Sequence, residues 1–361
     1  MLSTQLKKKY STIVPGVAIS LLIIFMLFDK EEPAKMPTAN SAKTYSAAIA
    51  RYNVEIPESM KLADVALNKN GIPIKVYFDY IKPRAERLVD RSFAEIKDNE
   101  AGRKTIEKPA EISRPSDNAW LIAYNHKRLT GVDVYGKPMN ELSNSSIGFV
   151  WKKNILLEVG GERTLEDPSR IAFLMSRFDV SDDRNSGFCF VKGCIEGSEN
   201  ERESVSVSFE DTNIKGFNLG FNIDAYQGEP NLPLSDRTPS IPDLELPGAL
   251  KWLSDSDNRI KKFKTSSRMI HNFNGEEIIE GTTQKLNGTY LTEITGIWYY
   301  PGMPGDAQKP EIRITATYSF TSNHLPDNAP SFPNRSQDGL TEEEFLSAWN
   351  HLLGSFHPNK F

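Results

Sequence analysis

Every second residue of Glu311-Ile-Arg-Ile-Thr-Ala-Thr-Tyr-Ser-Phe320 is apolar, and those between are polar or charged. A period of two sends the two sets to opposite sides of an extended chain, so this stretch is a strand with one buried and one wet face. Such alternation belongs to antiparallel sheets, because strands of parallel sheets are buried on both faces and read as continuous apolar runs. Ser204-Val-Ser-Val-Ser-Phe209, Phe217 to Ala225 and Arg51-Tyr-Asn-Val-Glu-Ile-Pro57 alternate in the same way. Further strands are expected at Ala119–Tyr124, at Ser146–Val159 with a hairpin break at Lys152-Lys153-Asn154, at Arg268–Ile279 and at Thr289–Tyr300. Phe188–Ile195 reads as one strand or as the two arms of a hairpin.

Helical signals are fewer. Pro83 opens a helix running to Asp98, with Ala85, Leu88, Ser92 and Ile96 on one face. Asp167-Pro168 supplies an N-cap and a first-turn proline for a helix whose buried stripe is Ile171, Leu174, Met175 and Phe178. Pro247 to Phe263 is expected to be helical, with Leu250, Leu253, Ile260 and Phe263 near one face. The last helix carries a capping box, Thr341-Glu-Glu-Glu344, followed by a stripe of Phe345, Leu346, Trp349, Leu352, Leu353 and Phe356. These elements predict an α+β fold of two domains of similar plan, residues 45–180 and 187–361, each an antiparallel sheet with helices packed on one face. Ser181-Asp-Asp-Arg-Asn-Ser186 is the boundary. Gln227 to Pro247, with five prolines, is an irregular excursion.

The first residues are of another kind. Lys7-Lys8-Lys9 precede an apolar run from Ile13 to Phe28, which Asp29-Lys30 close. The run is near the lower limit of about 17–25 residues for a membrane span, and Tyr10, Thr12 and the lysines extend it into the headgroup zones. Basic flanks stay in the cytoplasm, so the rest of the chain is expected on the far side. The bulky ending Phe25-Met-Leu-Phe-Asp29 does not fit the small residues of a cleavage site, which favours a retained anchor over residues 1–28; a cleaved signal peptide and a buried helix are the competing readings. Residues 29–44 are a polar, proline-containing tether. Localisation in a bacterial inner membrane, single-pass through residues 13–28 with the globular part in the periplasm, is the resulting expectation.

Leaving out residues 1–28, with three lysines and no acid, moves the formal net charge from −5 to −8. That argues against nucleic acid as a partner, which needs clustered Lys and Arg. Cys189 and Cys194 can pair across a tight turn in an oxidising compartment, or can be a free thiol and a core sulfur. The chain has no G-x-S-x-G elbow, H-E-x-x-H, P-loop or dinucleotide fingerprint. Of His126, His271, His324, His351 and His357, the first is expected to be solvated between Asn125 and Lys127. Asp255-Ser-Asp257-Asn-Arg259 lacks the glycine and an oxygen ligand of a calcium loop, and Asp182-Asp183 reads as a linker charge pair. Gly296-Ile-Trp-Tyr-Tyr300 is read first as core, with a carbohydrate or partner surface as the alternative. No catalytic, cofactor or metal residue is nominated, and the partner-binding residues are unknown at this level.

A family resemblance runs along the same residues. Asn274-Gly-Glu-Glu-Ile278, Gly288-Thr-Tyr-Leu-Thr-Glu293, Gly296-Ile-Trp298 and Leu340-Thr-Glu-Glu-Glu-Phe-Leu-Ser-Ala-Trp349 with Leu353-Gly-Ser-Phe356 resemble the C-terminal domain of type VI secretion lipase immunity proteins, cognate-immunity family 4. Gly187-Phe-Cys-Phe-Val-Lys-Gly193 is similar to the opening of that domain, and Arg51 to Pro57 to the start of the family's N-terminal domain. Members often have a Cys-hydrophobic-Gly lead-in where this chain has Ala48-Ile49-Ala50, so a disulfide using that cysteine is absent and the state of Cys189 and Cys194 stays open. The resemblance implies a binding protein without enzyme activity or cofactor. It would be a membrane-tethered periplasmic antitoxin that binds a cognate phospholipase effector and blocks its access to substrate. The competing function is a membrane-tethered module of cell-envelope binding or assembly, including a glycan-binding one.

Overall fold

Two Asn-Gly pairs, Asn70-Gly71 and Asn287-Gly288, hold positive φ at both positions (56° and 85°, 50° and 87°). That backbone makes the two-residue turns whose twist matches paired antiparallel strands. A computed structural model describes residues 43–132, 135–161, 168–180, 187–197, 202–234, 259–325, 327–333 and 339–359. In chain order the elements are β1 (Thr44–Ala50), β2 (Tyr52–Pro57), β3 (Met60–Lys69), β4 (Ile72–Tyr77), α1 (Lys82–Glu100), β5 (Glu111–Ser116), β6 (Ala119–Val132), β7 (Pro138–Lys152) and β8 (Ile155–Gly160). Next come α2 (Pro168–Ser176), β9 (Phe178–Asp179), β10 (Phe188–Val191), β11 (Gly193–Ile195), β12 (Glu203–Asp211) and β13 (Phe217–Asp224). The chain closes with β14 (Arg259–Ile270), β15 (Phe273–Leu286), β16 (Thr289–Tyr300), β17 (Glu311–Ser322), α3 (Glu342–Ser355) and β18 (His357–Pro358).

The fold is sheet-dominated, with antiparallel sheets and few helices. One sheet runs β14-β15-β16-β17-β13-β12-β3-β4-β8-β7-β6-β5, and a smaller one runs β18-β2-β1-β10-β11-β9. Strands from before and after residue 187 share both sheets, because β12 pairs with β3 and β10 pairs with β1. A buried ionic cluster ties the sheets together. The Arg51 guanidinium, next to the β1–β2 turn, donates from Nε and Nη2 to Glu203 on β12 at 3.0 Å each, and Lys69 Nζ on β3 reaches the same carboxylate at 2.6 Å. Lys69 also sits over the Phe188 ring of the small sheet, 5.5 Å from its centroid.

Cys189 and Cys194 form a disulfide across the β10–β11 hairpin, so Phe188–Ile195 is two arms and not one strand. Ala48 packs directly against that disulfide. In this chain a methyl group therefore occupies the position that the resemblance gives to a cysteine. The capping box of α3 is formed: Thr341 Oγ1 accepts from the Glu344 N–H at 3.3 Å, and the Glu344 carboxylate accepts from the Thr341 N–H at 2.9 Å. An N-cap of this kind stabilises by about 1 kcal/mol.

Several expectations are corrected. The residues expected to continue a helix to Phe263 form the strand β14 from Arg259 onward, and Ile260 on it is exposed. The register shifts between Lys262 and Lys264, leaving Phe263 as a bulge residue that packs on Phe332 at 5.4 Å between ring centroids. This bulge creates the odd Ile260–Phe263 spacing that imitates a helical turn. The strand expected over Arg268–Ile279 is broken by a turn at His271, with φ of 49°, so Ile270 and Phe273 face each other across the β14–β15 hairpin. Finally, helices do not cover only one face. Trp120 and Phe149 meet α1, whereas a side chain at Gly148, the neighbour of Phe149, would strike Met175 and Ile171 of α2. Adjacent strand residues point to opposite faces, so α1 and α2 sandwich this part of the sheet.

The buried face of α1 is Ala85 and Val89, with Leu88, Phe93 and Ile96 packed beside them. Phe178, expected on the α2 stripe, belongs to β9 and is buried there. Residues 1–28, 29–42, 181–186 and 247–258, and with them the anchor, most of the tether, the boundary and Asp255–Asn258, lie outside the described residues. Among the described residues no helix is long and apolar enough to cross a membrane.

Candidate interaction surface

β6 and β7 have 14 and 15 residues, against about 5–6 for an ordinary strand. Only part of this length lies in the sheet. β5 pairs with β6 from Ala119 to Ala123, and β8 pairs with β7 from Ile147 to Lys152. Beyond those points β6 and β7 pair with each other out to Val132 and Pro138, forming a two-stranded ribbon.

The root of the ribbon is a bulge. Tyr124 pairs with Ser145 and Lys127 with Ser143, so Asn125 and His126 together oppose Asn144. An extra residue bends the strand and increases its twist, which redirects the distal part of the ribbon. Asn125 has a φ of 56° and donates its N–H to the Glu100 carboxylate at the end of α1. Glu100 also accepts from the Ala110 N–H at 2.7 Å. His126 is buried at 5% exposure, which corrects the expectation of a solvated position. Its carbonyl accepts from the Glu107 N–H at 2.9 Å, and Lys108 bridges to it as an isolated β pair. His126 is thus buried at the bulge where the Glu107–Lys108 backbone pairs with it, which the local sequence Asn125-His126-Lys127 does not reveal.

Beyond the bulge the ribbon exposes large apolar side chains: Leu129 at 38%, Leu142 at 49%, Val132 at 67% and Tyr135 at 85%. Val132 pairs with Pro138 and Arg128 with Leu142, so alternation puts Arg128, Val132 and Leu142 on one face of the ribbon. The Thr130–Asn140 pair separates Val132 from Leu142, and Leu129 lies on the other face; apolar side chains exposed along a projecting element make the ribbon a candidate contact surface. The polar frame is at the base. Arg128 places its guanidinium fork on Glu107, with Nε and Nη2 at 2.9 Å, and reaches Asn140 Oδ1 at 3.2 Å. Lys108 donates to Glu111 at 2.7 Å and holds that carboxyl below the usual range. These pairs are exposed and are worth little stability. They orient the ribbon's base.

Other residues singled out in the sequence lie elsewhere. Trp298 and Tyr299 are fully buried at adjacent positions of β16, so Gly296–Tyr299 is core on both faces, while Tyr300 is partly exposed and packs on Phe273 at 5.0 Å between ring centroids. Trp298 Nε1 donates to the Arg268 carbonyl at 3.0 Å. His324 and His351 are exposed, and the rings of His271 and His357 approach to 6.1 Å. Among the described residues no three His, Cys, Asp or Glu side chains are grouped to hold a metal ion. The ribbon itself escaped the sequence reading. Lys127-Arg-Leu-Thr-Gly-Val132 has some alternation, but neither face is consistently apolar, so hydrophobic patterning gives no signal for a strand that is wet on both sides.

Residues 183–360 match the model of a family described as Tle cognate immunity protein 4 C-terminal domain. Among solved structures the chain is similar to the crystal structure of the Tle4-Tli4 complex, with 14% identity, a TM-score of 0.62, and coverage of 90% of this chain and 99% of that one. It is also similar to the apo structure of immunity protein TplEi of T6SS from Pseudomonas aeruginosa, with 13% identity, a TM-score of 0.55, and coverage of 89% and 99%. The same protein complexed with "L" peptide matches with 14% identity, a TM-score of 0.53, and coverage of 88% and 99%. At these identities the likeness is one of fold. No curated protein sequence matches the chain.

Proposed function

From the premise that residues 183–360 are a Tle cognate immunity protein 4 C-terminal domain, we propose that this protein is the immunity partner of a type VI secreted phospholipase and inhibits it by binding. The family match carries the reading, and the likeness of fold to the immunity protein TplEi and to the Tle4-Tli4 complex, covered over 99% of their chains' length, supports it. In this proposal the protein acts by occupying the effector and blocking its route to substrate, with no reaction of its own. The exposed side chains of the β6–β7 ribbon, Val132, Tyr135 and Leu142, are the contacts we assign to the effector. A few residues buried at the centre of an interface carry most of its binding free energy, and tyrosine is enriched among them, which makes Tyr135 the leading contact. Residues 13–28 hold the protein in the inner membrane, and residues 45–361 meet the effector in the periplasm.

The test is to mix the purified full chain with the lipase encoded beside its gene and follow phospholipid cleavage. Cleavage should fall to background near equimolar protein. Undiminished cleavage at molar excess would rule the proposal out. Location is tested separately by protease treatment of spheroplasts: residues 45–361 should be digested from outside, and full protection would overturn the periplasmic placement.

A further inference from the structure

The amino-terminal half of α1 presents an unusual face. Arg84, Arg87, Leu88 and Arg91 recur at the spacing that brings side chains together on a helix, and with Tyr80 they line a concavity of about 290 Å³. No acidic residue is among these lining residues. The first turn of α1 has no acidic residue either, although the helix macrodipole favours acids there and disfavours cations. The three arginines stand outside the face that builds the core, which is Ala85 and Val89.

The floor is rigid. Tyr80 is buried, its N–H donates to the Asn154 carbonyl at 2.7 Å, and its own carbonyl accepts from Trp151 Nε1 at 2.5 Å. The Arg84 guanidinium lies over the Tyr80 ring, 4.5 Å from its centroid, which holds it over the concavity. Arg91 meets an acid only loosely, Glu95 at 3.9 Å on the exposed helix surface. Glu158, buried beside Tyr77, is already engaged by Lys75 at 2.7 Å and by the Tyr77 hydroxyl at 2.8 Å. Its charge is therefore taken up within the fold.

We infer that this concavity is a binding site for a phosphate group carried on a small organic moiety. Each guanidinium presents a planar fork of donors, and a carboxylate has two oxygens, enough to fill one fork. Three guanidinium groups lining one concavity offer more donors than a carboxylate can take and suit the three or four acceptor oxygens of a phosphate. Leu88 and the Tyr80 ring give the attached carbon an apolar wall. The volume lies at the small end of ligand sites and suits a glycerol phosphate rather than a whole lipid. A soluble phosphate ester and the headgroup of an anionic phospholipid share this chemistry. The inference stands apart from the proposed inhibition of a lipase and does not depend on it.

The experiment records the arginine Nε–H resonances of the full chain at low salt during titration with glycerol 3-phosphate, inorganic phosphate and glutamate. Glycerol 3-phosphate should shift the Arg84, Arg87 and Arg91 signals, with glutamate binding at least tenfold more weakly. Arg87→Gln should weaken binding about tenfold, Arg87→Lys less, and Arg103→Gln, exposed beyond the helix end, not at all. Competition by a short-chain phosphatidylglycerol below its micelle concentration identifies the headgroup as the source; no competition identifies a soluble ester. Absence of any shift with phosphate or its ester, equal binding of glutamate, or Arg87→Gln binding as tightly as the native chain overturns the inference. Circular dichroism of each variant checks that it is folded.

Discussion

The two ends of the large sheet solve the same burial problem differently. At one end, β6, β7 and β8 carry α1 on one face and α2 on the other, and all six residues of β8, Ile155–Gly160, are buried. At the other end, among the described residues, β15, β16 and β17 carry one helix, α3, and β17 alternates between buried and partly exposed residues along most of its length. The Trp349 ring of α3 lies over Gly296, 3.4 Å from where a Cβ would stand. Each end also buries a glutamate and satisfies it locally, Glu158 through Lys75 and Tyr77 and Glu277 through Lys264, Arg268 and Trp349. The lesson is that a strand's periodicity reports how many of its faces are covered. It does not report which elements do the covering. The doubly covered end is the one that projects the ribbon, and a firm base suits an element that must bear on a partner.

Truncating a key tryptophan at each end is the strongest test of this comparison. Trp349→Ala should cost about 3–5 kcal/mol in urea unfolding, as should Trp120→Ala beneath α1. If Trp120→Ala costs much less, the second helix layer is compensating and the two ends are not equivalent. The ribbon should show the opposite profile. Val132→Ser combined with Tyr135→Ser should leave the unfolding midpoint within about 0.5 kcal/mol of native. Inhibition of the effector should nevertheless weaken by about 2 kcal/mol, roughly thirtyfold. A large loss of stability with normal inhibition would make the ribbon a structural element.

Gly148→Ala probes the α2 layer alone. Its Cβ would lie 2.2 Å from Met175 Sδ and 2.7 Å from Ile171 Cγ2, and overpacking of this kind costs about 1–3 kcal/mol. Gly296→Ala, with its nearest neighbour at 3.4 Å, should cost less in the same urea unfolding. The smallest effect concerns pH. Burial pushes the Glu277 carboxyl up, but Lys264, the Trp349 N–H and Arg268 outweigh it and hold the group below the usual carboxylate range. A carboxyl with a depressed folded pKa stabilises fully above its unfolded pKa and loses that contribution as pH falls through the folded value. Glu277→Gln should therefore be less stable than native near neutral pH by about 1 kcal/mol, with the gap closing on acidification. A gap independent of pH would assign the loss to hydrogen-bond geometry instead of charge.

Much of the framework was legible. The strict alternation of Glu311–Phe320 requires a half-wet antiparallel strand, and β17 is one. Thr341 and Glu344 specify the start of α3, because capping uses groups only three residues apart. Lys152-Lys153-Asn154 marks the β7–β8 turn, with φ of 44° at Lys153 and 63° at Asn154. The resemblance read from scattered residues of the C-terminal third agrees with the family match over residues 183–360. The candidate surface was not legible. The ribbon past Tyr124 has no buried face to impose a period, and the burial of His126 depends on a bulge braced by Glu100 from another element. The helix expected up to Phe263 failed because one bulge residue reproduces the spacing of a helical turn.

Local chemistry in the chain thus determined strand type, caps and tight turns, since each rests on residues within a few positions of one another. Tertiary structure alone decided the rest. The pairing of β12 with β3 and the assembly of Arg51, Lys69 and Glu203 join residues up to 152 positions apart. The sandwiching of β6–β8 between two helices likewise comes from packing between distant segments. No pattern along the chain encodes which surfaces will meet. That is settled only when burial of the apolar faces and satisfaction of the buried charges are met together.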